Sequence, residues 1–117
     1  MPPVNNPFEA IDRVLSDLSD CSYIFLDFHA EATSEKMAMG FYCDGRITGL
    51  FGSHTHVQTF DYHFLPKGTA YITDVGMVGG IDSILGVKKE IVLKRFISGY
   101  SEKFEQDDKK IYMNSVI

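Results

Sequence analysis

Apolar residues first recur at helical spacing at Phe8, Ile11, Leu15 and Leu18, with Asp12, Arg13, Ser16 and Asp17 between them. That spacing predicts an amphipathic helix, because residues three and four apart share a helix face. Asn6 suits its N-cap and Pro7 its first helical position, and the helix should end near Ser19-Asp20. Residues 23–28 (Tyr23-Ile24-Phe25-Leu26-Asp27-Phe28) are almost continuously apolar and rich in aromatics, which predicts a short buried strand with His29 at its C-terminal end. Thr33-Ser34-Glu35-Lys36 opens a second helix through Met37, Ala38, Met39, Phe41 and Tyr42, and Asp44-Gly45 stops it. Residues 47–51 predict a second short buried strand leading to His54 and His56. Residues 62–65 and 69–73, on either side of Pro66-Lys67-Gly68, predict a hairpin. Residues 74–80 are expected to form a glycine-rich loop. Residues 88–97 predict a third helix with Ile91, Leu93, Phe96 and Ile97 as its apolar positions and Gly99 as its C-cap. After the turn at Asp107-Asp108, residues 111–117 read as a closing strand.

These elements define a mixed α/β (α+β) class, and 117 residues suit one small domain with a modest core. The formal charge of −5 argues against nucleic acid held by bulk electrostatics, so no stable DNA binding is expected. Lys88-Lys89 and Lys94-Arg95 read as the solvent face of the third helix. Cys21 and Cys43 give no disulfide framework, so reduced thiols and a cytoplasmic location are expected. No apolar run is long enough to span a membrane. Met1-Pro2-Pro3-Val4 has neither the basic nor the apolar region of a signal peptide.

Three of the four histidines lie where a metal would want them: His29 after the first strand, and His54 and His56 after the second. In an extended segment His-x-His points both rings to one side, because side chains alternate with period two. Two parallel strands that both end in histidine suit a site at strand C-termini. Chemistry alone leaves alternatives open. His54 and His56 read equally as ligands or ordinary polar residues, and a lone His29 at a strand end is ordinarily structural. Three histidines and water also suit a mononuclear zinc hydrolase. Asp27 is a candidate to orient the His29 ring, or else accepts backbone bonds at the strand end; Asp74 has the same two readings. Glu31 fits a carboxylate at a helix N-terminus better than a catalytic acid. Residues 74–80 lack the spacing of a dinucleotide fingerprint, Met37 and Met39 read as helix packing, and His63 reads as a surface residue of the hairpin.

The blocks Tyr23-Ile24-Phe25-Leu26-Asp27-Phe28-His29-Ala30-Glu31-Ala32-Thr33-Ser34-Glu35-Lys36, Asp44-Gly45-Arg46, Gly52-Ser53-His54-Thr55-His56-Val57-Gln58-Thr59 and Leu65-Pro66-Lys67-Gly68-Thr69-Ala70-Tyr71-Ile72-Thr73-Asp74-Val75-Gly76-Met77 together resemble the bacterial YmdB-like family of calcineurin-like metallophosphoesterases. The resemblance implies that residues 1–117 are the C-terminal portion of a single metallophosphoesterase domain whose N-terminal half is absent. The fold would then be half of an α-β-β-α sandwich, with unpaired edges and an exposed apolar face. By position, His29 and His54 resemble ligands that share one metal, and His56 resembles a ligand of the other. Ser53 stands where the wider superfamily has glycine, although this branch also carries a small hydroxyl residue there. The family's metal-binding Asp, bridging acid and Asn-His pair have no counterpart here. No catalytic residue is therefore expected in this chain, since the general-acid histidine belongs to the absent half. The resemblance also implies a phosphodiesterase acting on 2′,3′-cyclic nucleotides or other phosphodiesters, a homo-oligomer, and two divalent metals (iron, manganese or zinc), of which the isolated chain holds at most one, weakly. The alternative is a non-catalytic metal-binding or scaffold fragment that needs a separate N-terminal half.

Overall fold

Asn6 and Pro7 start the first element as their chemistry predicts. A computed structural model describes residues 5–117, so the expectation for Met1-Pro2-Pro3-Val4 lies outside the described residues. Helix α1 spans Pro7–Asp17, and the Asn6 side chain accepts the Phe8 N–H at 2.9 Å. Strand β1 (Phe25–His29), helix α2 (Thr33–Cys43) and strand β2 (Gly49–Ser53) follow. A helical crossover of this length lets β1 and β2 lie parallel, with Phe25 opposite Gly49 and His29 opposite Ser53. Strands β3 (His63–Phe64) and β4 (Ala70–Ile72) form the predicted hairpin, and β4 adds parallel to β2, giving the order β1-β2-β4-β3. Asp44, just after α2, pins the hairpin turn by accepting the Lys67 N–H at 2.9 Å and the Thr69 N–H at 3.3 Å. Strand β5 (Val78–Gly80), helix α3 (Lys89–Ser98) and strand β6 (Ile111–Met113) complete the chain, with β5 and β6 paired antiparallel in a separate two-stranded sheet. Helix α3 ends on Gly99 at φ 76°, the left-handed C-cap for which glycine carries no Cβ penalty.

The core lies between α1, α2 and one face of the four-stranded sheet. It contains Ile11, Met39, Cys43, Ile47, Leu50, Leu65 and Tyr71, with Leu26 and Phe28 packed against it. The register sets Leu26 beside Leu50 and Leu50 beside Tyr71, so alternate residues of three strands meet the helices. The opposite face is largely open: Phe25 and Phe64 are 65% and 78% exposed, beside an apolar cavity of about 590 Å³ whose rim includes residues 114–117. None of the helices among the described residues is long and apolar enough to cross a membrane.

Four expectations are corrected. Residues 23–28 do not form a fully buried strand: β1 is an edge strand, and only its helix-facing residues Leu26 and Phe28 are partly covered. The last three residues of the expected loop 74–80 are instead strand β5, because Gly79 and Gly80 pair with Tyr112 and Ile111. The closing strand stops at Met113 rather than Ile117, since its partner β5 is only three residues long. Helix α3 buries Val92, whereas Leu93, Phe96 and Ile97 are exposed because no described element packs on their side. The radius of gyration, 17.4 Å, accords with these uncovered surfaces; a compact domain of this length has about 13 Å.

Gly52, late in β2, is the tightest point of the sheet. A Cβ there would lie 2.0 Å from the Thr73 carbonyl oxygen and 2.6 Å from Lys36 Cδ. Backbone on one side and a buried lysine stem on the other leave nowhere for a methyl group to go. Gly52→Ala should therefore cost about 3 kcal/mol or more, or prevent folding altogether, as read by urea denaturation.

Candidate metal centre

The parallel register delivers the first contact of the site. His29 and Ser53 are paired residues on neighbouring strands, and His29 Nδ1 lies 3.1 Å from Ser53 Oγ. His29 Nε2 lies 3.3 Å from His54 Nδ1, with the two rings edge-on at 5.1 Å. Both rings stand exposed at the C-terminal end of the parallel pair. A tetrahedral metal with bonds of about 2.0–2.1 Å sets its ligand nitrogens about 3.3–3.4 Å apart. The His29–His54 pair thus already has the spacing of two ligands to one ion. Among the described residues no group of three His, Cys, Asp or Glu side chains is gathered closely enough to hold a metal. The pair therefore fits part of a coordination sphere, not a whole one.

His56 does not join the pair. The strand ends at Ser53, and the backbone then leaves the extended region, with φ 145° at His54 and 63° at His56. The period-two expectation for His-x-His fails for that reason. His56 Nδ1 lies 3.1 Å from the Leu85 carbonyl oxygen. Donation from Nδ1–H to that carbonyl leaves Nε2 with its lone pair, the arrangement usual in metal-binding histidines. Leu85 itself has φ 52°, a left-handed conformation rare outside glycine. His63 is exposed on the hairpin, its Nδ1 2.6 Å from the Asp61 carbonyl oxygen, as a surface residue should be.

Of the two readings of Asp27 and Asp74, orienting a ring or accepting backbone bonds, the described contacts give Asp74 the second and show neither orienting a ring. Asp27 lies on the same strand as His29, about 6.5–7 Å back along it, whereas Ser53 sits directly opposite and takes the Nδ1 contact. Asp74 is fully buried and hydrogen-bonds none of the histidine rings among the described contacts. It accepts the Thr55 N–H at 2.8 Å, the Gly76 N–H at 2.9 Å and the Lys36 ammonium at 3.1 Å. Burial alone would raise its pKa, but the two backbone donors and the lysine outweigh that and hold it below the usual 3.8. Asp61 is held below its usual value in the same way: burial opposes ionisation, and hydrogen bonds from Thr59 and Thr73 prevail. Sequence reasoning missed Ser53, Lys36 and the Leu85 carbonyl. Ser53 was detectable from the strand register; Lys36 appears in sequence only as part of the start of the second helix, and nothing in the sequence marked Leu85.

The YmdB-like protein family model matches residues 1–117. The chain is 48% identical over 118 residues to the 2′,3′-cyclic-nucleotide 2′-phosphodiesterase of Bacillus subtilis (strain 168), covering 100% of this chain and 45% of that protein. It is similar to a crystal structure of a hypothetical protein from Thermus thermophilus, with a TM-score of 0.87 and 47% identity, over 95% of this chain and 44% of that one. It is also similar to a crystal structure of a novel phosphatase from Mycoplasma pneumoniae, with a TM-score of 0.82 and 43% identity, over 92% of this chain and 38% of that one. The chain thus spans less than half the length of these relatives.

The depressed values of Asp74 and Asp61 link stability to pH. The unfolded chain takes up protons nearer 3.8 than the folded chain does, so this stabilisation is complete above that value and is lost as pH falls through the lower folded-state values. Urea denaturation from about pH 6 to about pH 3 should show the unfolding free energy falling most steeply below about pH 4. Asp74→Asn should flatten that fall and, by turning an amide NH₂ against a backbone donor, cost about 2 kcal/mol at neutral pH.

Proposed function

The chain belongs to the YmdB-like protein family, and from that premise we propose that it supplies the histidine side of a metal-dependent phosphodiesterase site for 2′,3′-cyclic nucleotides or related phosphodiesters. The observation that carries this reading is the 3.3 Å approach of His29 Nε2 and His54 Nδ1 at the C-terminal ends of paired parallel strands. In this reading His29 and His54 hold one divalent ion, and His56, anchored through Nδ1, presents Nε2 to a second. Imidazoles favour zinc, iron or manganese over magnesium, which prefers oxygen ligands. When bound, such ions neutralise charge on the phosphoryl oxygens and lower the pKa of a coordinated water.

The chain's own residues do the positioning. Ser53 fixes the His29 ring so that Nε2 faces outward, and the Leu85 carbonyl does the same for His56. Neutral imidazoles bring no negative charge, so metal held here keeps its full attraction for a phosphodiester anion. The carboxylates and the general acid of a complete site come, in this reading, from chain beyond these 117 residues. Residues 1–117 are then the C-terminal portion of one metallophosphoesterase domain, which the relatives' greater length accommodates. The open sheet face and the exposed Leu93, Phe96 and Ile97 support association with further chain and a homo-oligomer, and the free thiols Cys21 and Cys43 suit the cytoplasm. The absence of a three-ligand cluster among the described residues favours, as the second reading, a non-catalytic metal-binding or scaffold role for the chain by itself.

Titration with Co²⁺ or Zn²⁺ should give at most one ion per chain, bound weakly. His29→Ala or His54→Ala should lower that affinity at least about tenfold, with a smaller effect from His56→Ala. The chain alone should not hydrolyse 2′,3′-cyclic AMP with Mn²⁺, and a protein of the relatives' full length that contains it should. Absence of metal-dependent turnover in the latter would reject the enzymatic reading, leaving the scaffold.

A further inference from the structure

Lys36 and Asp74 form an ion pair at 3.1 Å with both side chains fully buried, directly beneath the loop that carries His54 and His56. A buried pair is a weak source of stability, because desolvating two charges offsets most of their attraction. Apolar residues of similar volume would hold α2 against the sheet at least as well. What they would not supply is an acceptor. Asp74 Oδ2 takes the Thr55 N–H, between the two histidines, and Oδ1 takes the Gly76 N–H after β4. Thr55 is flanked by the two strained positions, His54 at φ 145° and His56 at φ 63°. Such conformations persist only where surrounding contacts over-determine them. The Lys36 stem also passes beside Gly52, where a Cβ would strike it at 2.6 Å, so the glycine before Ser53 keeps the lysine's path open.

We infer that Lys36 and Asp74 are positioning residues: their buried pair is a strut that clamps the Thr55 backbone and so sets the directions in which His54 and His56 present their rings. The inference rests on the metal-site reading for its purpose, but the strut itself is a property of the loop. Lys36 acts through Asp74, and Asp74 acts through the backbone; neither reaches the metal.

The test replaces the strut with packing. Lys36→Leu/Asp74→Leu keeps the volume apolar and removes the acceptor, whereas His54→Ala serves as the ligand control. In the folded double variant, Co²⁺ affinity should fall at least tenfold, with a changed visible absorption spectrum and shifted ¹⁵N resonances of the His54 and His56 rings. Wild-type affinity and spectrum in that variant would overturn the strut. Should the variant not fold, hydrogen exchange in the unaltered chain decides: Thr55 and Gly76 amides protected about 100-fold or more support the clamp, and free exchange refutes it. If the unaltered chain binds no Co²⁺, the metal-site reading fails separately. The strut then stands or falls on the ring resonances alone, which should move in the variant and would disprove it by staying put.

Discussion

The parallel pairing of β1 with β2 is the constraint on which the rest depends. It places His29 opposite Ser53, ends both strands at the same level, and lets the following loop fold His54 back over His29. A slip of one residue would turn His29 to the helix side and put Phe28 beside the histidine loop. The register is specified from the opposite face, where Leu26 and Leu50 align under α1 and α2 together with Tyr71 of β4. The apolar residues that build the core therefore also aim the histidines, although none of them touches the site.

Local chemistry was legible in the sequence wherever one residue decides the outcome. Asn6 and Pro7 start α1, Asp44-Gly45 ends α2, and Gly99 caps α3 because each acts within a few residues of itself. The turn Pro66-Lys67-Gly68 was readable for the same reason, and the ligand candidates were readable because histidine is scarce here and their block resembles a family. What could not be read depends on partners distant in the chain. Orienting the ring of His29, its near neighbour in sequence, was one of two readings of Asp27, but the His29 Nδ1 contact comes from Ser53, 24 residues away. Of the two readings of Asp74 the structure bears out acceptance of backbone bonds, and adds a lysine 38 residues earlier that is indistinguishable in sequence from a surface cation. The apolar positions expected for α3 omitted Val92, its buried residue, and which face of the helix is covered is a tertiary matter that periodicity does not encode.

The uncovered surfaces and the exposed histidine pair lie around the same sheet. A sheet with helices on one face and open aromatics on the other has buried only part of what its composition offers. The histidine pair likewise supplies two donors with the spacing of a tetrahedral edge and leaves the remaining positions open. Both deficits lie around the same sheet, one on its open face and one at the strand C-termini. The open aromatics and the histidine pair thus border one sheet, whose register sets both.

The loop between those deficits is built for direction more than for stability. Left-handed and other positive-φ conformations at non-glycine residues cost about 1–3 kcal/mol each, and three of them, at His54, His56 and Leu85, converge on this corner. The contacts that offset this cost are aimed at the backbone or at a ring nitrogen: Asp74 to Thr55, Leu85 to His56, Ser53 to His29. Each removes a degree of rotation, and at His56, where the acceptor is a carbonyl oxygen, donation from Nδ1 leaves the Nε2 lone pair free. An imidazole fixed in this way has already lost the conformational entropy that binding would otherwise take from it. Affinity at such a corner depends on how firmly its orienting contacts hold, as well as on how many ligands it has.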